Sequence, residues 1–239
     1  MRLAIGLASL AYHCVVAPLR FCVSGSYRSV LFLKWFRTGD LHQSTPLTWS
    51  DRYPEIFAIC RDYLSGRPDL NILSYGCATG EEVLTLRHYF PSARITGAEI
   101  NPHSLAIARK RKLDDQIVFL ESDPAAISTR APFDVIFCMA VLQRTPMQII
   151  DKNIRDLTSI YPFGRFDAKV TELDSWLKKD GLLIVHHSQY SLADASVGSS
   201  YTPLEQAKHI RDKGPKFGRD SLRSENPTTT NSIFVKVGG

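Results

Sequence analysis

A chain of 239 residues with 44% hydrophobic and 22% charged content can build one α/β domain with a full core and has no room for a second catalytic domain. Its 29 Lys and Arg against 24 Asp and Glu leave +5, and the C-terminal Lys208, Arg211, Lys213, Lys216, Arg219 and Arg223 are irregularly spaced with few aromatics. They read as a solvated surface, so nucleic acid is a disfavoured partner. Five cysteines, at 14, 22, 60, 77 and 138, make no Cys-x-x-Cys pair and no metal-spaced cluster, which excludes a disulfide scaffold and points to a reducing compartment with no metal.

The first predicted element is the ambiguous one. Leu3 to Leu19 carries no formal charge, but it contains His13 and Pro18 and runs into Arg20, so it falls short of a membrane span. Arg2 ahead of an apolar region suits a signal peptide, yet a small-residue cleavage site is missing. The stretch reads as a helical lid, with a membrane-surface anchor as the alternative, its basic-aromatic face being Arg28, Lys34, Trp35, Phe36 and Arg37. Residues 1–66 are accordingly an N-terminal helical extension, and 67–239 the ligand-binding domain.

An apolar strand at Asn71-Ile-Leu-Ser-Tyr75 leads into Gly76-Cys-Ala-Thr-Gly80 and then a helix opened by Glu81 and Glu82. Such a turn lets backbone without Cβ atoms approach a nucleotide-like ligand. A second strand, Ala93 to Glu99, is followed by Asn101 as helix cap and Pro102 at the first helical position. The third, Gln116 to Asp123, also ends in an acid, and the fourth, Phe133 to Cys138, is the continuous apolar run of a strand covered on both faces. The polar insertion from Gln143 to Arg165, with Ile149, Ile150, Ile154 and Leu157 at helical spacing, is predicted to form a short amphipathic helix and a substrate lid. Gly198 to Asn231 is rich in Ser, Thr, Gly and Pro, and Ser232 to Val237 reads as a final edge strand.

The residues around the turn choose the ligand. A dinucleotide fingerprint starting at Gly76 would want glycine at 78 and 81, where this chain has Ala78 and Glu81. Two acids in the first helical turn oppose a pyrophosphate, whereas S-adenosylmethionine (SAM) has an ammonium and a sulfonium, so a carboxylate at this helix start has a cationic partner. Glu99, 23 residues after Gly76, is placed to accept hydrogen bonds from ribose hydroxyls, and Asp123 from the adenine amino group. Cys77 and Cys138 read as small packing residues.

These segments resemble the chemotaxis-receptor glutamate methyltransferases within the class I SAM-dependent methyltransferases. Ser74-Tyr-Gly-Cys-Ala-Thr-Gly-Glu-Glu82 is similar to that family's Ser-x-Gly-Cys-x-Thr-Gly-Glu-Glu. Phe133 to Leu142 resembles its fourth-strand segment, Trp176 to Gln189 its fifth-strand unit, and Thr48 to Phe57 its Thr-x-Phe-Phe-Arg-x-Pro-x-x-Phe. The resemblance implies a doubly wound, Rossmann-like, mostly parallel seven-stranded sheet with an N-terminal helical extension. By position it implies cofactor contacts at Tyr75, Gly76, Ala78, Gly80, Glu82 (the methionyl ammonium), Glu99 (the ribose), Asp123, Pro124, Ala140 and Val141, with Arg52 clamping the cofactor carboxylate. The family's Arg-Asn pair after the fourth strand is Met139-Ala140 here, and its Ser-Glu after the fifth is Ser188-Gln189, so receptor glutamate does not carry over as the substrate.

The expected function is methyl transfer in a cytoplasmic enzyme by in-line displacement onto an unidentified acceptor, a small molecule or a protein carboxylate. His187, with His186 beside it at the end of the fifth strand, is the candidate catalytic base, ahead of Tyr190 and Gln143. The alternatives are a non-catalytic SAM-binding protein of the same fold, a protein-glutamate methyltransferase and, distantly, an NAD-dependent oxidoreductase.

Overall fold

The computed structural model describes residues 16–43, 48–111, 114–212, 214–227 and 229–238. The apolar segment ahead of residue 16, with His13 and Cys14, therefore lies outside the described residues, as does Lys213. Two helices open the described chain, α1 (Ala17–Val23) and α2 (Gly25–Phe36), and Ser24 between them caps α2 by accepting from the Tyr27 N–H at 3.2 Å. Helix α3 (Pro54–Tyr63) then leads to a regular alternation: β1 (Asn71–Tyr75), α4 (Glu81–Tyr89), β2 (Arg94–Glu99), α5 (Pro102–Lys110), β3 (Ile117–Glu121), α6 (Pro124–Ser128) and β4 (Phe133–Met139). After α7 (Pro146–Asp151) and α8 (Phe163–Trp176) come β5 (Leu177–His186), β6 (Tyr201–Pro203) and β7 (Ile233–Lys236).

The seven strands form one sheet in the order β3-β2-β1-β4-β5-β7-β6, parallel from β3 to β5. This is the expected doubly wound architecture. Side chains alternate between faces along each central strand. Leu73, Ile136, Leu183 and Val185 pack with Phe166, Val170 and Leu173 of α8 on one face. On the other, Ile72, Val135, Phe137, Leu182 and Ile184 pack with Ile56, Phe57 and Cys60 of α3 and with Val83 and Leu86 of α4. Each fully buried side chain of this kind contributes roughly 1.5–3 kcal/mol. Chain order reverses between β1 and β4, and at that switch point a crevice opens at the strands' carboxyl ends.

Two expectations are corrected here. The segment 232–237 does form a strand, but β7 lies inside the sheet, antiparallel to β5, and β6 is the edge. Pro203 explains the order, because a strand with a residue lacking an N–H donor is tolerated at an edge. In the insertion only Pro146–Asp151 is helical; Ile149 is buried, Ile150 is 55% exposed, and Ile154 and Leu157 pack into the core beyond the helix end. No residue from Gln143 to Arg165 lines the crevice, so the insertion is not its lid. The cover comes from the N-terminal side, through Leu33, Asp40, His42 and Trp49.

Candidate active site

The turn after β1 owes its shape to backbone that side chains resist. Gly76 has φ +80, and a Cβ there would sit 2.4 Å from Cγ2 of Val141. Its N–H and that of Cys77 both donate to the Ala98 carbonyl, at 2.8 and 3.1 Å, fixing the turn against β2. Ala78 follows at φ +49 with its N–H aimed at Oε2 of Glu99, 2.8 Å away. Gly80, at φ +93, is a different case. A Cβ there would meet Phe119 at 3.2 Å and Ala108 at 3.3 Å, so this glycine opens α4 and packs against the domain without lining the crevice.

Glu99 ends β2 with its carboxylate held on both sides, Oε2 by Ala78 and Oε1 by the Asn101 N–H at 2.7 Å. Burial pushes its carboxyl upward, and the backbone donors pull against that shift. Glu82 accepts from the Ser74 hydroxyl at 2.7 Å, and burial raises its carboxyl to about 7. Glu81 points elsewhere, bonded to Thr79 Oγ1 at 2.6 Å and paired with Arg111. Of the two acids that open α4, Glu82 alone lines the crevice.

The remaining walls come from separate places in the chain. Tyr75, Met139, Ala140 and Val141 lie at the ends of β1 and β4, with Ala140 at φ +58. Ser122 lines the crevice where Asp123 was expected. Asp123 is the N-cap of α6, accepting from Ala126 N at 3.0 Å, and both it and Pro124 are exposed and off the crevice. That one-residue difference follows from the cap, which turns Asp123 toward its own helix. Across the mouth the Arg52 guanidinium lies 4.3 Å from the Trp49 ring centroid and 5.0 Å from that of Tyr53, in cation-π contact with both. The Tyr53 hydroxyl is enclosed at the wall with no hydrogen-bond partner.

His187 does not line the crevice. It stands at φ +52 just past β5, its ring 5.7 Å from that of Tyr53 and its Nδ1 3.6 Å from Oδ1 of Asp212. His186 accompanies it, bonded through Nδ1 to Ser232 at 2.7 Å, and burial lowers its imidazole to about 4. Burial alone would raise the Asp212 carboxyl, but His187, Lys216 and the Gly214 N–H hold it below the usual range. Lys216 is 5% exposed, donating to Asp212 at 2.9 Å and to the Ser188 carbonyl at 2.6 Å, so its place in a solvated basic run is corrected. Tyr190 is a core residue bonded to the Tyr161 carbonyl, and Gln143 donates to the Ala140 carbonyl at 3.1 Å; neither reaches the crevice. Cys77 and Cys138 are 1% exposed, and burial pushes both thiols well up, as packing residues require.

Residues 67–225 match the family described as the methyltransferase domain. The chain belongs to that family. Relatives include trans-aconitate 2-methyltransferase of Escherichia fergusonii, 36% identical over 31% of this chain and 29% of that protein. Malonyl-[acyl-carrier protein] O-methyltransferase of Bacillus cytotoxicus is 32% identical over 31% of this chain and 26% of its own length. The match thus spans less than a third of these curated relatives. Among solved structures, an amino pentose methyltransferase from Micromonospora echinaspora with bound SAM is 21% identical, covering 64% of this chain and 54% of that one at a TM-score of 0.41.

The cofactor of this methyltransferase domain is SAM, and the crevice fits it. Glu82 is an enclosed acid that accepts from the neutral Ser74 hydroxyl, which suits an ammonium. Glu99 has lone pairs to spare after its two backbone donors, which suits a ribose diol. The orphan Tyr53 hydroxyl has a polar ligand group to gain. Bound there, SAM supplies an electrophilic methyl on a sulfonium; the protein's share is to bind, orient and exclude water. Among the described residues no group of His, Cys, Asp and Glu is placed to hold a metal. Nor is any helix among them long and apolar enough to cross a membrane.

Proposed function

We propose that this methyltransferase transfers the SAM methyl to a carboxylate oxygen. The observation that carries the reading is that the imidazole and the carboxylates lining the crevice are all engaged. His42 shares its Nδ1 with the Tyr161 hydroxyl at 2.6 Å, and burial lowers its imidazole to about 3. Asp40 is paired with Arg37 at 2.9 Å, Glu82 with Ser74, and Glu99 with two N–H groups. An acceptor that arrives already ionised needs no base, and Arg52 at the mouth gives an anion its counter-charge. The names of the trans-aconitate and malonyl relatives describe acids, in keeping with this choice.

The role proposed for Glu99 is tested by calorimetry. Charged hydrogen bonds contribute roughly 1.5–3 kcal/mol, so Glu99→Ala weakens SAM about ten- to a hundredfold. Wild-type protein that takes up no SAM would end the reading. The acceptor is tested with methyl-labelled SAM against small dicarboxylic acids, acyl-carrier-bound acids and whole protein. Carboxylate methyl esters release their label in mild alkali, so alkali-stable label sinks the carboxylate. One observation favours a second reading: a carboxylate-oriented imidazole, His187 beside Asp212, is what a hydroxyl or amine acceptor would call on. In that case His187→Ala abolishes methyl transfer while SAM binding persists, whereas with a carboxylate acceptor the variant keeps its turnover.

A further inference from the structure

The N-terminal helices carry a surface that methyl transfer does not use. Leu19, Phe21 and Val23 of α1 are 61%, 45% and 74% exposed, and Phe32, Trp35 and Phe36 of α2 are 48%, 68% and 69% exposed. Phe32, Trp35 and Phe36 share one flank of α2 by their i, i+3, i+4 spacing, and the rings of Phe32 and Phe36 lie 5.2 Å apart. Single exposed apolar residues are ordinary, but aromatics grouped on one exposed helix flank, as Phe32, Trp35 and Phe36 are, mark a docking surface. The two helices are tied into one unit, because the Arg28 guanidinium donates to the Phe21 and Cys22 carbonyls at 2.8 and 2.9 Å.

Charge decides what docks. Residues 1–39 contain Arg2, Arg20, Arg28, Lys34 and Arg37 and no Asp or Glu, while the rest of the chain carries 24 basic and 24 acidic residues. The whole +5 of the molecule therefore resides in this segment. Arg37 is spent within the protein, on Asp40 and Glu121, but Arg20 and Lys34 are exposed beside the aromatics. The 15 residues ahead of the described chain hold Arg2 as their sole formal charge and run straight into α1. Aromatic and aliphatic side chains with Arg20 and Lys34 exposed beside them complement an anionic lipid bilayer.

We infer that α1 and α2 seat this protein on an anionic lipid surface. The inference is independent of the acceptor reading. Helix α2 also contributes Leu33 to the crevice wall, and Asp40 and His42 follow directly behind it.

The test is co-sedimentation of the full chain with vesicles of phosphatidylcholine alone and with vesicles containing phosphatidylglycerol. The chain pellets with the anionic vesicles and is released in about 1 M salt, where the screening length falls to about 3 Å. Arg20→Glu with Lys34→Glu lowers the bound fraction about tenfold or more, and Trp35→Ala with Phe36→Ala does the same, both variants keeping wild-type SAM affinity as the check on folding. Protein that stays in the supernatant overturns the inference, as does equal, salt-insensitive pelleting with both vesicle types. A dimer in size-exclusion chromatography that the Trp35→Ala/Phe36→Ala variant dissociates also overturns it, in favour of a second copy as the occupant.

Discussion

Glu82 is where the local chemistry makes its sharpest demand. Burial raises its carboxyl from the ordinary 4.5 to about 7, so the ligand-free folded protein holds a proton there that the unfolded chain has released. This group's contribution to stability therefore falls as pH rises between 4.5 and about 7. Ligand binding runs the other way, since an ammonium needs the ionised form. SAM affinity should rise with pH up to about 7, with a limiting slope of about tenfold per pH unit, and Glu82→Gln should flatten it. Calorimetric titrations across that range check this, and a flat wild-type profile would contradict the assignment. Gly76 makes a steric demand at the same scale: Gly76→Ala brings a Cβ 2.4 Å from Val141 at φ +80, a strain of about 1–3 kcal/mol. Adding Val141→Ala should relieve the contact but not the torsion, recovering part of the loss in chemical denaturation.

At the scale of elements, the cover of the site depends on how α2 meets α5. Asn101 caps α5 by accepting from His103 N at 3.0 Å and Ser104 N at 3.3 Å, and its Oδ1 also takes the Ser29 hydroxyl of α2 at 2.6 Å. One side chain thus starts a helix and fastens the helical extension to the domain. Asn101→Ala should cost about 0.5–2 kcal/mol for the cap and a further 1–3 for the stranded Ser29 hydroxyl. Ser29→Ala should lose much less, because it removes both the donor and its desolvation cost. Urea denaturation of the two variants separates these effects, and equal losses would mean that the contact between the elements carries nothing. The cap and Pro102 were legible in the sequence because capping is local; Ser29, 72 residues away, was not.

At the scale of the molecule, a buried ion pair holds the C-terminal segment over the sheet's functional edge. Asp212 accepts from the Ser188 N–H at 2.9 Å and from Lys216, and it stands beside His187, so it ties the end of β5 to chain 24 residues on. Removing one member leaves the other charged and unpaired. Asp212→Asn should destabilise by about 3–5 kcal/mol, and Asp212→Asn with Lys216→Met should recover most of it. If the double variant is no more stable than the single one in equilibrium denaturation, the pair is not what holds the segment. The spacing of the basic residues gave no hint of this, since burial of Lys216 depends on an aspartate whose own position is set by the sheet.

By itself the sequence determined the β1 turn, the acid ending β2, the parallel core strands and the cofactor, because glycine torsions, strand periodicity and the charge of a helix start act within a few residues. The tertiary structure decided which side chains line the crevice. Ser122 lines it and Asp123 does not, Glu81 turns to Arg111, and Gly80 packs against Phe119. The cover fell to the N-terminal extension and not to the insertion: amphipathic spacing shows that a segment packs, and only the assembled sheet shows against what.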